Sequence, residues 1–210
     1  MRRYPIELDL AGRSALVVGL GAVGRSRAKG LVAAGARVVA VDPAPIEPIL
    51  GVSRIAEPYR PEHLGGMNLA FAAATSEVNL RVVADARAAG VWVNSATEGG
   101  SGDFLVPASW RDGPIGLSVS TSGASPALAR TLRDRAARAI GPGAAALASI
   151  LLDLRREVHA TVADPDVRRR IFARWGDPQW LDLAESEGPD AVRRVLRAAA
   201  EVNWPPPGGE

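Results

Sequence analysis

Six residues constrain this chain more than any others. Gly19-Leu20-Gly21-Ala22-Val23-Gly24 is a G-x-G-x-x-G. It follows a short apolar run, Ser14–Gly19, and opens a stretch from Val23 to Ala34 with Arg25, Arg27 and Lys29 on its polar side. By itself the spacing is weak evidence. Ending a strand and opening a helix, it has the context of a dinucleotide-binding turn. The first glycine permits a tight turn, the second lets backbone approach a pyrophosphate, and the third allows close helix–strand packing. The helix N-terminus then faces the anion. Gly19, Gly21, Ala22, Val23 and Gly24 are therefore candidate cofactor contacts.

The next strand-like run, Arg37–Val41, ends at Asp42-Pro43, with Asp42 standing 18 residues after Gly24. A carboxylate there accepts hydrogen bonds from both ribose hydroxyls and repels a 2′-phosphate, which favours NAD over NADP. The competing reading is a structural glycine turn in which Asp42 caps a loop. Leu69–Ala74 reads as a further buried strand, and the small residues Ala73-Ala74-Thr75 at its end let a cofactor cross the sheet. Ala74 and Thr75 join the candidate cofactor set.

Alternation continues with a helix over Glu77–Ala89, stopped by Gly90, and a strand over Val91–Ser95. Pro45 to Gly66 is proline-rich and leaves room for one short strand at most. Strands alternating with helices argue for an open parallel α/β sheet. After a glycine-rich loop, Thr97–Gly102, come Phe104–Val106 and a strand over Ile115–Thr121. Ser125-Pro126 then makes a serine-capped helix start with proline at its first position. That helix runs to Ile140, a second spans Ala144–Val162, and the remainder is helical with proline breaks up to a frayed tail beginning at Trp204.

Composition removes several chemistries. The 210 residues contain no cysteine, which excludes disulfides, iron–sulfur clusters and thiolate nucleophiles; two histidines, His63 and His159, exclude a polyhistidine metal site. Each histidine reads as a surface or capping residue, and no metal ligand set is assigned. The 25 basic residues are 24 arginines and Lys29, against 23 acids. Their only cluster, Arg168-Arg169-Arg170, follows Asp164 and Asp166 and reads as a solvated helix face, so no nucleic-acid partner is expected. There is no run of 18 apolar residues and no apolar leader, so a cytoplasmic protein without a membrane span is expected. Trp175, Trp180 and Trp204 read as helix packing, with Trp180 also able to wall a large ligand.

Several segments together resemble one family. They are Tyr4–Arg13 before the first strand, the dinucleotide motif, Ala33–Val38, Ala73-Ala74-Thr75 with Val78-Asn79, Val93-Asn94, Asp103–Ala108, and Ser120–Arg130 (S-T-S-G-A-S-P-A-L-A-R). Over residues 4–140 the chain resembles the precorrin-2 dehydrogenases, including the N-terminal half of the fused siroheme synthases. The last segment is the most specific, because generic dinucleotide folds have no use for it.

The resemblance implies an α/β NAD(P)-binding Rossmann domain over 1–106, a small dimerisation segment over 107–143 and a helical C-terminal domain over 144–210. It implies NAD-dependent oxidation of precorrin-2 to sirohydrochlorin by a homodimer, with Fe²⁺ as a chelation substrate in some members. Ser120, Thr121, Ser122, Gly123, Arg130 and Arg133 become candidate substrate contacts, since guanidinium groups suit a tetrapyrrole bearing eight carboxylates. The serines and threonine equally suit backbone capping, and the arginines a solvated helix face.

One position departs from the pattern. The family's aspartate implicated in dehydrogenation and chelation is Thr97 here, and a threonine hydroxyl is no base near neutral pH. Thr97 and Asp103 are the catalytic candidates, with Glu98 as a further substitute. Iron chelation is correspondingly weakened. Two alternatives stand beside the dehydrogenase: a non-catalytic NAD-linked tetrapyrrole carrier or sensor, and a dehydrogenase of another substrate.

Overall fold

The computed structural model describes residues 3–97 and 102–201. Contacts divide the chain into two compact units, Met1–Val106 and Pro107–Glu210.

The first unit is an α/β layer structure. Its elements are β1 (Ser14–Val18), α1 (Ala22–Ala33), β2 (Arg37–Val41), β3 (Val52–Ile55), a 3₁₀ turn at Pro61–Leu64, β4 (Leu69–Ala72), α2 (Ser76–Ala88) and β5 (Trp92–Ser95). The five strands are all parallel, in the order β3-β2-β1-β4-β5. Strand order reverses beside β1, so the carboxyl ends of β1 and β4 flank the crevice where open α/β sheets bind ligands.

Period-two alternation sends side chains to both faces. Leu16 and Val18 join Val41, Ala72, Val82 and Val93 in one buried cluster with α2 residues. Ala15 and Val17 join Ala28, Leu31, Val38 and Phe71 in another with α1 residues. Phe104 and Val106 extend the second cluster, and Phe104 meets Phe71 edge-on at 5.5 Å between centroids. Burying a valine or leucine side chain contributes about 1.5–3 kcal/mol, so these two faces hold the sheet that carries the site.

Strand ends differ from the sequence expectation at β4. The apolar run continues to Ala74, but the strand stops at Ala72. The Asn79 side chain takes over both polar backbone groups of Ala74, and its amide replaces a strand neighbour. The proline-rich segment does contain a short strand, β3, paired parallel to β2.

The second unit begins with a hairpin of β6 (Ala108–Asp112) and β7 (Ile115–Val119). Strand β6 has no counterpart among the strands expected from the sequence. Its signal was the two-residue loop Gly113-Pro114 after Asp112, with glycine at positive φ (50°) where a mirror-image hairpin turn needs it. Next come α3 (Pro126–Ile140), α4 (Ala144–Thr161), α5 (Pro165–Arg174), α6 (Gln179–Ser186) and α7 (Pro189–Glu201). Ile150, Leu154, Trp180, Ala184, Val192 and Leu196 form the core of this helical part. Trp180 is buried there and donates through Nε1 to the Arg174 carbonyl at 2.8 Å. Arg168 donates to the carbonyls of Val162 and Ala163, both at 2.7 Å, and Arg169 pairs with Asp166 at 3.0 Å, so these two arginines are spent on the α4–α5 connection and on α5 itself. Among the described residues no single helix is long and apolar enough to cross a membrane. Trp204 and the tail lie outside the described residues.

Candidate functional site

The glycine turn is shaped by what its glycines exclude. Gly19 has φ 89°, and a Cβ there would stand 2.6 Å from the Ala73 carbonyl oxygen and 2.7 Å from Ala74 N. A Cβ on Gly24 would collide with the Gly19 carbonyl oxygen. These two glycines let the β1 and β4 ends and the first turn of α1 meet. Gly21 is different: a Cβ there would touch nothing within 4 Å. It is exposed and caps α1 without any side-chain hydrogen bond, and the first turn of α1 carries no acidic residue. The free N–H groups at that helix end are left for an outside anion. Ala22 and Val23 form the exposed start of the helix.

Asp42 sits just beyond β2 with its carboxylate aimed back at this turn. Oδ2 accepts from Leu20 N at 2.6 Å and Oδ1 from Ala44 N at 2.9 Å. The structure shows the capping role, and it leaves each carboxylate oxygen a second lone-pair direction that could accept from a ribose hydroxyl. The Arg54 guanidinium on β3 donates to the carbonyls of Asp42 and Ala44, which fixes the turn through Pro43.

At the β4 end, Ala73 N completes the ladder to the Val18 carbonyl at 2.8 Å. Thr75 caps α2 in extended conformation without a side-chain bond. Asn79, only 2% exposed, accepts from Ala74 N at 2.9 Å, donates to the Ala74 carbonyl at 3.2 Å, and donates to Thr97 Oγ1 at 2.9 Å. The structure thus joins Ala74, Thr75 and Thr97 through a residue that sequence reasoning quoted without assigning it a role. No local sequence signal marks it, because its partners lie 5 and 18 residues away.

Asp103 is engaged differently. Its Oδ2 accepts from Val93 N at 3.0 Å, its own N–H donates to the Val93 carbonyl at 2.7 Å, and Oδ1 pairs with Arg87 at 3.0 Å. A Cβ on Gly102 would press on Val93 and Ser95 backbone, and Asn94 Nδ2 donates to the Phe104 carbonyl at 2.9 Å. Residues 102–104 therefore close the free edge of β5, with one Asp103 oxygen on Val93 N and the other on Arg87 of α2. Glu98 lies outside the described residues.

In the second unit, Thr121 Oγ1 accepts from Ser125 N at 3.1 Å and donates to the Ser125 carbonyl at 3.0 Å. Ser120 Oγ accepts from Ser122 N at 3.2 Å, and Ser125 Oγ caps α3 through Leu128 N at 3.2 Å. Ser122 (φ 55°) and Gly123 (φ 92°) are consecutive left-handed residues spanned by an Ala124 N to Thr121 carbonyl bond of 2.9 Å. That is a mirror-image tight turn. Arg133 is occupied by Asp134, at 2.6 and 2.8 Å, and by the Ser109 carbonyl at 3.4 Å. Arg130 is exposed and has no ion-pair partner among the described residues.

Comparison with known proteins fits this geometry. Residues 6–108 match a family model described as "Putative NAD(P)-binding". The siroheme synthase of Chromobacterium violaceum is 34% identical over 209 aligned residues, covering 96% of this chain and 43% of that protein. That of Gluconacetobacter diazotrophicus is 32% identical, covering 94% and 43%. The chain is a relative of the siroheme synthases. It spans less than half the length of those curated relatives. A solved structure titled "SirC, precorrin-2 dehydrogenase" superposes with a TM-score of 0.74 at 21% identity, covering 93% of this chain and all of that one, which establishes a shared fold.

In this siroheme synthase relative, both histidines and Tyr59 are engaged by local partners. His63 accepts from Arg60 N through Nδ1 and meets Glu57 through Nε2 at 2.8 Å, a capping role. That hydrogen bond, opposed by desolvation and assisted by Arg60, holds the Glu57 carboxyl below its ordinary range. Burial, helped by Asp85, pushes the Tyr59 phenol up. His159 stacks obliquely on Phe172. Among the described residues no three metal-ligating side chains cluster.

Proposed function

We propose that this chain is an NAD-dependent dehydrogenase that oxidises precorrin-2 to sirohydrochlorin. The observation that carries the reading is the β1–α1 turn. It is backed by Ala73, open at Gly21 and faced by the Asp42 carboxylate, in a chain whose relatives are named siroheme synthase. Bound there, NAD supplies the hydride acceptor. The open helix end binds the pyrophosphate, Asp42 takes the adenosine ribose hydroxyls and repels a 2′-phosphate, and the small Ala73-Ala74-Thr75 turn leaves the sheet top clear. One hydride leaves the macrocycle for the nicotinamide, and one proton leaves for water or a substrate carboxylate. Thr97 has no carboxylate to take it, and Asp103 already accepts from Val93 N and pairs with Arg87.

Arg130 supplies a free guanidinium for a substrate carboxylate, and the Ser122-Gly123 turn presents the exposed hydroxyl beside it in sequence. Thr121 and Arg133 position rather than bind, because their polar atoms are used internally. Iron insertion is not part of this activity. Chain association belongs to the same reading. In residues 107–143 only Ala129 is a buried hydrophobic residue, while Leu128 and Leu132, one helical turn apart on α3, stay 48% and 41% exposed. A second copy of the chain covering this hairpin and helix gives a homodimer, which sedimentation at micromolar concentration tests.

The deciding experiment mixes protein, NAD and precorrin-2 and follows NADH absorbance with the sirohydrochlorin spectrum. Appearance of both supports the proposal; no spectral change at high protein concentration overturns it. A second reading, an NAD-linked tetrapyrrole carrier, is favoured by one observation: a threonine bonded to Asn79 stands at the family's aspartate position. It predicts calorimetric binding of NAD and sirohydrochlorin without turnover, and a large gain in turnover for Thr97→Asp.

A further inference from the structure

The Asn79 amide has one acceptor oxygen and two N–H donors. All three are assigned, to Ala74 N, the Ala74 carbonyl and Thr97 Oγ1. Flipping the amide would set its NH₂ against the Ala74 N–H, donor against donor, so the orientation has one solution. At 2% exposure the group has no access to water as a replacement partner. Thr97 Oγ1 is thereby the acceptor in its bond with Asn79, and its own O–H meets no acceptor among the described residues. A hydroxyl carries a single donor, so that donor has no partner among the described residues, at the carboxyl end of the sheet.

Strand order says what it faces. Asp42 follows β2, the glycine turn follows β1, Ala73–Thr75 follow β4, and Thr97 follows β5, with these four strands adjacent in the order β2-β1-β4-β5. A dinucleotide with its adenosine ribose at Asp42 and its pyrophosphate at the glycine turn extends its nicotinamide half toward β4 and β5. We propose that Asn79 is a positioning residue that turns the Thr97 hydroxyl into a hydrogen-bond donor for an acceptor oxygen on the nicotinamide half of the cofactor. The inference rests on the NAD-binding part of the proposed function. It gives the residue at the family's aspartate position a binding role in place of a base.

The test compares NAD with ADP-ribose, which keeps the adenosine ribose and pyrophosphate and lacks nicotinamide. Calorimetry on Thr97→Val should show NAD binding weakened about fivefold, one net hydrogen bond, with ADP-ribose within twofold of the unaltered protein. Thr97→Ser, which keeps the hydroxyl, should restore NAD affinity. Asn79→Asp keeps the acceptor for Ala74 N and replaces the donor, so the Thr97→Val step should have little further effect on NAD in that background. If Asn79→Asp does not fold, the Thr97→Val and Thr97→Ser pair still decides the matter. Unchanged NAD affinity in Thr97→Val, or an equal loss for ADP-ribose, overturns the proposal while leaving the dehydrogenase reading intact. An unaltered protein that binds neither ligand overturns both.

Discussion

Two junctions of this molecule run from a strand through left-handed backbone into a helix, and they are built by opposite means. Between β1 and α1, the turn carries Gly19, Gly21 and Gly24 and no side-chain hydrogen bond of its own; two glycines exist because backbone presses on them, and the third faces open space. Between β7 and α3, Ser120, Thr121 and Ser125 satisfy the turn with their own hydroxyls, and a serine occupies a left-handed position that glycine would hold without strain. The first junction leaves its helix N-terminus without a side-chain cap, as the proposed pyrophosphate site requires. The second fills its helix N-terminus from within, which limits what it offers a ligand to the exposed Ser122 and to neighbours such as Arg130.

The sharpest way to break the comparison is a side chain on the turn that excludes them. Gly19→Val puts a branched side chain at φ 89° with its Cβ 2.6 Å from the Ala73 carbonyl oxygen. Left-handed strain and overpacking each cost about 1–3 kcal/mol, so we expect a loss of about 3 kcal/mol or more in urea unfolding, together with loss of NAD binding. A variant as stable as the parent would mean that the β1 and β4 ends are not locked together as drawn.

The hydroxyl-built junction should fail more gently. Thr121→Val keeps the shape and removes both bonds to Ser125, for about 2 kcal/mol at about 1 kcal/mol each. The expected reading is a midpoint about 4–8 °C lower in a thermal melt. A smaller shift than that of Ser125→Ala, whose cap is worth about 1 kcal/mol, would show that the turn is held by its backbone bond instead.

The two junctions were not equally legible in the sequence. Gly19–Gly24 could be read because each glycine has one physical reason to be glycine, and because the spacing to Asp42 confirms the register. The Ser125-Pro126 helix start was equally plain, since cap and proline are local effects. Strand β6 escaped because the alternation in Ala108–Asp112 is short and carries one large apolar residue, Trp110; its pairing with β7 comes from the Gly113-Pro114 turn and from α3 packing on the hairpin. Asn79 and Asp103 escaped for another reason. What they do depends on partners 5 to 18 residues away, Ala74 and Thr97 for one, Val93 and Arg87 for the other. Composition and periodicity carry no trace of such pairings. Arg133 looked like Arg130 from the sequence, one helical turn on, and only the Ser109 carbonyl and Asp134 separate them.

Cofactor choice tests the glycine junction through its partner rather than its backbone. Asp42→Asn removes the charge facing a 2′-phosphate and leaves one acceptor for the two amides of Leu20 and Ala44. The preference for NAD over NADP should narrow by about tenfold, or about 1.4 kcal/mol, measured as the ratio of the two dissociation constants. An unchanged ratio would make Asp42 a loop cap alone.

The smallest effect separates strain from use at the serine junction. Ser122→Gly relieves a left-handed residue, worth about 1 kcal/mol, and returns part of that gain through the extra freedom glycine gives the unfolded chain, about 0.5 kcal/mol. The net expectation is a stabilisation of about 0.5 kcal/mol in the same urea titration. No structural bond is lost, because Ser122 Oγ has no partner among the described residues while its N–H keeps Ser120. A serine that costs stability and bonds to nothing is explained if its hydroxyl meets the substrate. The KM for precorrin-2 should then rise about threefold, a fraction of one hydrogen bond, while kcat holds. Greater stability with an unchanged KM would make the strain incidental. Lost stability would mean that the serine supports the turn after all, and the contrast between the two junctions would then narrow to their glycine count.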